Sequence, residues 1–222
     1  VGVTGDKAEI VDLRDSIIDR LPLAIGVLVL ATFVLLFLMT GSVVVPVKAI
    51  VMNVLSLGAT FGALVLVFQD GHLSGLLGFD PPGSLDLLMP VIVFLFAFGL
   101  SMDYEVFLLS RIREVWEETG DNDRAVAEGL QRSGRIITSA ALLMVIVFAG
   151  FAAGEMVAIK QLGLGMAVAV IVDATVVRSL LVPATMKLMG HWNWWAPSPL
   201  TRLHRRFGVR EAAPVERRPA GA

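Results

Sequence analysis

The 222-residue sequence has no cysteine, which excludes disulfides and thiolate metal sites. Charge is also scarce: 17% of residues are charged and the formal net charge is −2, so no basic field argues for nucleic acid. The three histidines, His72, His191 and His204, lie far apart without ligand spacing and read as surface or interfacial side chains rather than a metal site. No dinucleotide-binding, P-loop or nucleophile-elbow pattern occurs, so nothing points to an enzyme or a bound cofactor. The opening at Val1 shows no charged-then-apolar leader, and the expectation is a piece of a longer protein.

Apolar residues dominate instead. They make up 56% of the chain, with mean hydropathy +0.77, which predicts an all-α integral membrane protein. A membrane helix needs about 20 mainly apolar residues. Five segments satisfy this: 21–39, with Pro22 in its first turn, 49–68, 87–109, 136–153 and 162–189. The predicted fold is a five-helix transmembrane bundle over 21–190. Residues 1–20 carry Ile10, Leu13, Ile17 and Ile18 at amphipathic spacing and read as the end of an extracytoplasmic domain. Residues 191–222 form a basic, partly disordered tail. A short amphipathic helix over 121–133, capped by Asp121 or Asn122, is expected to lie on the membrane surface before the fourth span.

Basic residues suggest the orientation. Arg111, Arg113, Arg124, Arg132 and Arg135 follow the third span, and Lys187, Arg202, Arg205, Arg206 and Arg210 close the chain, with Lys48 on the same side. The connection 69–86 has no lysine or arginine, and only Lys160 breaks the asymmetry. The positive-inside rule then puts the C-terminus in the cytoplasm and the N-terminal end outside, with Trp192, Trp194 and Trp195 as an interfacial anchor.

Polar residues within the spans carry the functional signal. Asp103, Tyr104 and Glu105 sit inside the third span, and Asp103 lies about 10 Å from its cytoplasmic end at ~1.5 Å per residue. A carboxylate at that depth faces protein or a cavity and commonly moves ions or protons; a purely structural role is the alternative. Tyr104, the single tyrosine, places a hydroxyl beside it. Gly99 precedes Asp103 by four residues, and Gly165, Ala169 and Asp173 share one face of the fifth span, so both carboxylates are expected on packed, small-residue seams. Arg178 is expected to pair with Asp173 or Glu105. Asn53, Ser56 and Thr60 form a polar stripe on the second span, read as interhelical hydrogen-bonding groups.

These residues carry a resemblance. The segment FGLSMDYEVFLLSRIRE (98–114) resembles the hallmark of the MMPL transporters, a branch of the resistance–nodulation–division superfamily. GRIITSAALLM (134–144), KQLGLGMAVAVIVDATVVRSLLVPATMKLMG (160–190) and NWWAP (193–197) are similar to the family's next two spans and tail. The resemblance implies a bacterial inner-membrane transporter of twelve helices in two halves, this chain matching helices eight to twelve. It implies proton-driven export of lipids, glycolipids or hydrophobic compounds, with no cofactor beyond the proton gradient. The partners implied are the N-terminal half of the same transporter, membrane lipids and a lipidic substrate. An Asp-Tyr proton relay carries over to Asp103 and Tyr104, with Glu105, Asp173, Arg178, Asn53 and Ser56 as supporting polar groups. A lipid-sensing or assembly module on the same bundle, without net transport, is the second reading.

Overall fold

The computed structural model describes residues 6–80, 83, 85 and 88–207, without the side chains of 6–11, 205 and 207. The first residues of the lead-in, most of 81–87 with the expected start of the third span, and the tail beyond 207 lie outside the described residues. Every regular element described is helical. In a bilayer a helix satisfies its own backbone groups, which is why apolar runs of this length take that form.

Five helices are long and apolar enough to cross a membrane. Helix α1 spans Asp6–Thr40, and α2 spans Val44–Leu64 with a π-helical end at Val65–Gln69. A one-turn α3 (Ser74–Leu77) interrupts the long connection to α4, Met89–Thr119. Helix α5 covers Asn122–Ala152. The last span is composite: α6 (Val157–Val172), a π-helical stretch Asp173–Leu181, and α7 (Val182–Met189). A 3-10 turn (Gly190–Trp194) and the basic α8 (Ser198–Phe207) complete the described chain. Helix α6 packs against α5, α2 and α4, whereas α1 lies outside, against α2 and α4. Apolar side chains cover the outer surface, among them Leu23 and Leu30 of α1, Val54 of α2 and Leu142 and Leu143 of α5. Such a surface suits lipid.

Two expectations need correction. The surface helix over 121–133 and the span from 136 are one element, the uninterrupted α5. Its charged stretch is one face of a continuous helix, where Arg124 and Arg132 both pair with Glu128. The opposite face buries Ala125, Val126 and Gly129. A Cβ on Gly129 would sit 2.5 Å from Ile112 Cγ1 and 2.9 Å from its Cα, so glycine lets α5 and α4 touch there. Likewise Pro22 lies inside α1 rather than in its first turn, because the helix begins at Asp6. The expected cap holds: the Asp121 carboxylate accepts from the backbone N–H of Asp123 at 2.9 Å and of Arg124 at 3.2 Å.

The Arg-rich end is tied by polar groups. Asn122 Nδ2 donates to the Met186 carbonyl, Trp194 Nε1 donates to Asn122 Oδ1, and Ser42 Oγ donates to the Asn193 carbonyl. Trp194 stacks on Trp116 at 5.1 Å, so it packs against α4, while Trp192 and Trp195 are exposed as an interfacial anchor requires. At the other end Lys160 Nζ donates to the Leu77 and Gly78 carbonyls, closing α3. Those bonds give Lys160 its partners at the end opposite the Arg-rich one.

Candidate functional site

Two apolar clusters fill the bundle. One, towards the Arg-rich end, includes Met52, Leu108, Ile112, Val177 and Val182; the other includes Leu57, Val93, Ala97, Phe98 and Ala169. Between them lies a polar layer. Asn53 and Ser56 of α2, Ser101 and Glu105 of α4, and Asp173 and Arg178 of the last span are all buried, none more than 6% exposed. Placing so many polar groups between two apolar cores is costly unless they satisfy one another.

Asp173 and Arg178 are the centre of that layer. Arg178 Nε donates to Asp173 Oδ2 at 2.7 Å, and Ser101 Oγ donates to Asp173 Oδ1 at 2.8 Å. Arg178 Nη2 also donates to the Ser101 carbonyl, and its guanidinium carbon stands 5.1 Å from the centre of the Tyr104 ring. The local backbone makes this possible. Five residues of regular α-helix would turn Arg178 about 140° from Asp173. The π-helical stretch begins at Asp173, and its wider turn brings residues five apart back onto one face. Ser179 Oγ, which donates to the Ala174 carbonyl five residues earlier at 2.7 Å, follows the same register.

Asp103 stands apart from this network. It is exposed near the midpoint of α4, on an uncovered stripe with Phe96 and Gly99. The expected packed face at Gly99 and Asp103 is not closed among the described residues: no described helix covers them, and a Cβ on Gly99 would meet nothing within 4 Å. Tyr104 is half-buried and turns towards Arg178, while Glu105 points into the bundle. Helical residues two apart differ by about 200° in direction, which puts the Asp103 and Glu105 carboxylates on opposite faces.

The structure thus brings Tyr104, Asp173, Arg178, Asn53 and Ser56 to one layer, with Glu105 alongside and Asp103 on the outer side of the same helix. The expected Asp173–Arg178 pair is present. Asp173 continues the seam of Gly165 and Ala169 as its spacing foretold. The stripe does not form the expected interhelical hydrogen bonds among the described residues: the Thr60 hydroxyl donates to the Ser56 carbonyl of its own helix at 2.9 Å, and neither amide atom of Asn53 has a partner. Two participants were missed. Ser101 carried a signal, a hydroxyl two residues before Asp103. Lys48 read as a loop-side marker, yet it lies in α2, 7% exposed, with Nζ lacking a hydrogen-bond partner among the described residues.

Comparison with known proteins matches the model of the MMPL family over residues 1–222. A membrane protein of Streptomyces coelicolor is 54% identical over 214 residues, covering 96% of this chain and 30% of that protein. The mycolic acid-containing lipids exporter of Mycolicibacterium smegmatis is 47% identical, covering 91% of this chain and 21% of its own length. The trehalose monomycolate exporter of the same organism is 42% identical, covering 98% of this chain and 22% of its own length. The chain therefore spans less than a third of each of these relatives.

Proposed function

Because the chain belongs to the MMPL family, we propose that it is the C-terminal membrane part of a proton-driven exporter of lipids, glycolipids or hydrophobic compounds. Asp103 and Tyr104 form its proton relay. The start of α1 at Asp6 lies on the extracytoplasmic side and the Arg-rich end in the cytoplasm. Lipidic cargo is supported by the names of two relatives, one an exporter of mycolic acid-containing lipids and one of trehalose monomycolate.

One observation carries the relay: Asp103 is exposed at mid-span beside Gly99 on a face that the described residues leave uncovered. A carboxylate in lipid at that depth is costly, so the face belongs against protein. The N-terminal half of the same transporter is its occupant. There Asp103 loads and releases a proton, and the Tyr104 hydroxyl receives or steadies it. Arg178, held by Asp173, fixes the Tyr104 ring from behind.

Asp103→Asn in the full-length parent tests this, since it keeps size and polarity but cannot ionise. The variant should reach the membrane at the wild-type amount and fail to restore the envelope lipids missing from a strain lacking the parent. Wild-type export by Asp103→Asn protein at the wild-type level would overturn the relay. Tyr104→Phe should lower export without abolishing it.

A further inference from the structure

We propose that the polar layer binds one ordered water between α2, α4 and the last span, held by Asn53, and that this water links Tyr104 to Asp173. The inference rests on the relay reading above and extends it into the bundle. A cavity of about 10 Å³ is lined by Asn53, Ser56, Ser101, Tyr104 and Asp173. That volume is on the order of the ~10–15 Å³ that one water occupies. Asn53 is 2% exposed, and neither Oδ1 nor Nδ2 has a hydrogen-bond partner among the described residues. A buried amide with both ends unpaired is unusual in a folded protein and is commonly completed by water.

The lining suits that ligand. Asn53 offers donors and an acceptor, and the Ser56 and Tyr104 hydroxyls can each do both. Asp173 accepts from Ser101 and Arg178 and keeps lone pairs beyond those two bonds. A water needs about two to four such partners. Bound there, it gives the Tyr104 hydroxyl a hydrogen-bonded route to the Asp173 carboxylate through space that apolar Leu57 and Ala97 otherwise close off. Asn53 is then a positioning residue, acting through the water rather than on the proton itself.

Three substitutions in the full-length parent separate this role from helix packing. Asn53→Leu fills the space without polar atoms, Asn53→Ala enlarges it and leaves room for more water, and Ala97→Val fills it from α4 with Asn53 intact. Export per molecule should fall about 100-fold or more in Asn53→Leu and Ala97→Val, the low end of the effect of a lost proton-transfer group, and its pH profile should move. Asn53→Ala should lose export too, but markedly less than Asn53→Leu, because further water can take the place of the amide. Equal losses in Asn53→Leu and Asn53→Ala would overturn the water, leaving Asn53 acting directly. Unchanged export per molecule and an unchanged pH profile in Ala97→Val would overturn it as well, including where Asn53→Leu does not accumulate. Asp103→Asn runs in parallel: if that variant exports normally the relay itself fails, whereas normal export by the cavity-filling variants alone removes only the water.

Discussion

At the scale of single residues, the Asp173–Arg178 pair sets the clearest stability test. Both side chains are buried, with Nε and Oδ2 2.7 Å apart. Arg178→Gln leaves a buried carboxylate without its cation, and Asp173→Asn leaves the cation; each should cost about 3–5 kcal/mol. The double variant Asp173→Asn with Arg178→Gln leaves no stranded charge and should recover much of that loss. Thermal melting of the detergent-solubilised parent reads the cycle, and a double variant as unstable as the sum of the singles would mean the two charges are not coupled. Asp103→Asn should behave in the opposite way, stable but inactive, because its charge is held by no partner among the described residues.

At the scale of elements, the α5–α6 contact depends on Gly163. A Cβ there would lie 2.3 Å from the Ala152 amide nitrogen and 2.6 Å from the Phe148 carbonyl, backbone atoms that cannot swing aside. Gly163→Ala should lower stability by about 1–3 kcal/mol, as forced overpacking does. Gly150→Ala, where a Cβ meets nothing within 4 Å, should leave the melting temperature near wild type. The π-helical stretch gives a second test. Deleting Ala174 should return the stretch to α-helical register and leave Arg178 four residues after Asp173, about 40° apart on one face, so the pair should survive; a melting temperature lowered as far as in Arg178→Gln would show that the wide turn itself is required. The spans and the Gly165–Ala169–Asp173 seam were legible because hydropathy and small-residue spacing are written locally along the chain. The continuity of α5 was not, because its charged face from Arg124 to Arg132 reads as surface wherever it occurs, and only α4 beneath Gly129 reveals the packed side. Gly99 and Asp103 were expected on a packed stripe but are exposed among the described residues, because spacing along one helix does not say which helix closes on it. Lys48 was misread for a related reason: a basic residue beside an apolar run marks an end by rule, whereas here α2 begins at Val44 and buries it.

At the scale of the whole molecule, the asymmetry of basic residues predicts opposite sides for the two kinds of connection. Reporters placed within 69–80 and beside Thr119 should report the extracytoplasmic and cytoplasmic faces respectively, and the same face for both would break the five-span arrangement. Expressed without the rest of the parent, this chain should insert but not restore export, since its Asp103 face has nothing to work against. Restoration by this chain alone would refute the need for the other half.

Helix α1 has a mechanical consequence. It runs unbroken for 35 residues through Pro22, roughly 52 Å at 1.5 Å per residue, against about 30 Å of hydrocarbon. Near its Arg-rich end it is fastened: the Leu38 carbonyl lies 3.1 Å from His204 Nε2, and the Phe37 ring meets the His204 ring edge-on at 6.0 Å. Further along, Leu23 and Val27 are 72% and 60% exposed. A rod pivoted at one end works as a lever. A tilt of about 10° would sweep its far end through roughly 9 Å over that length.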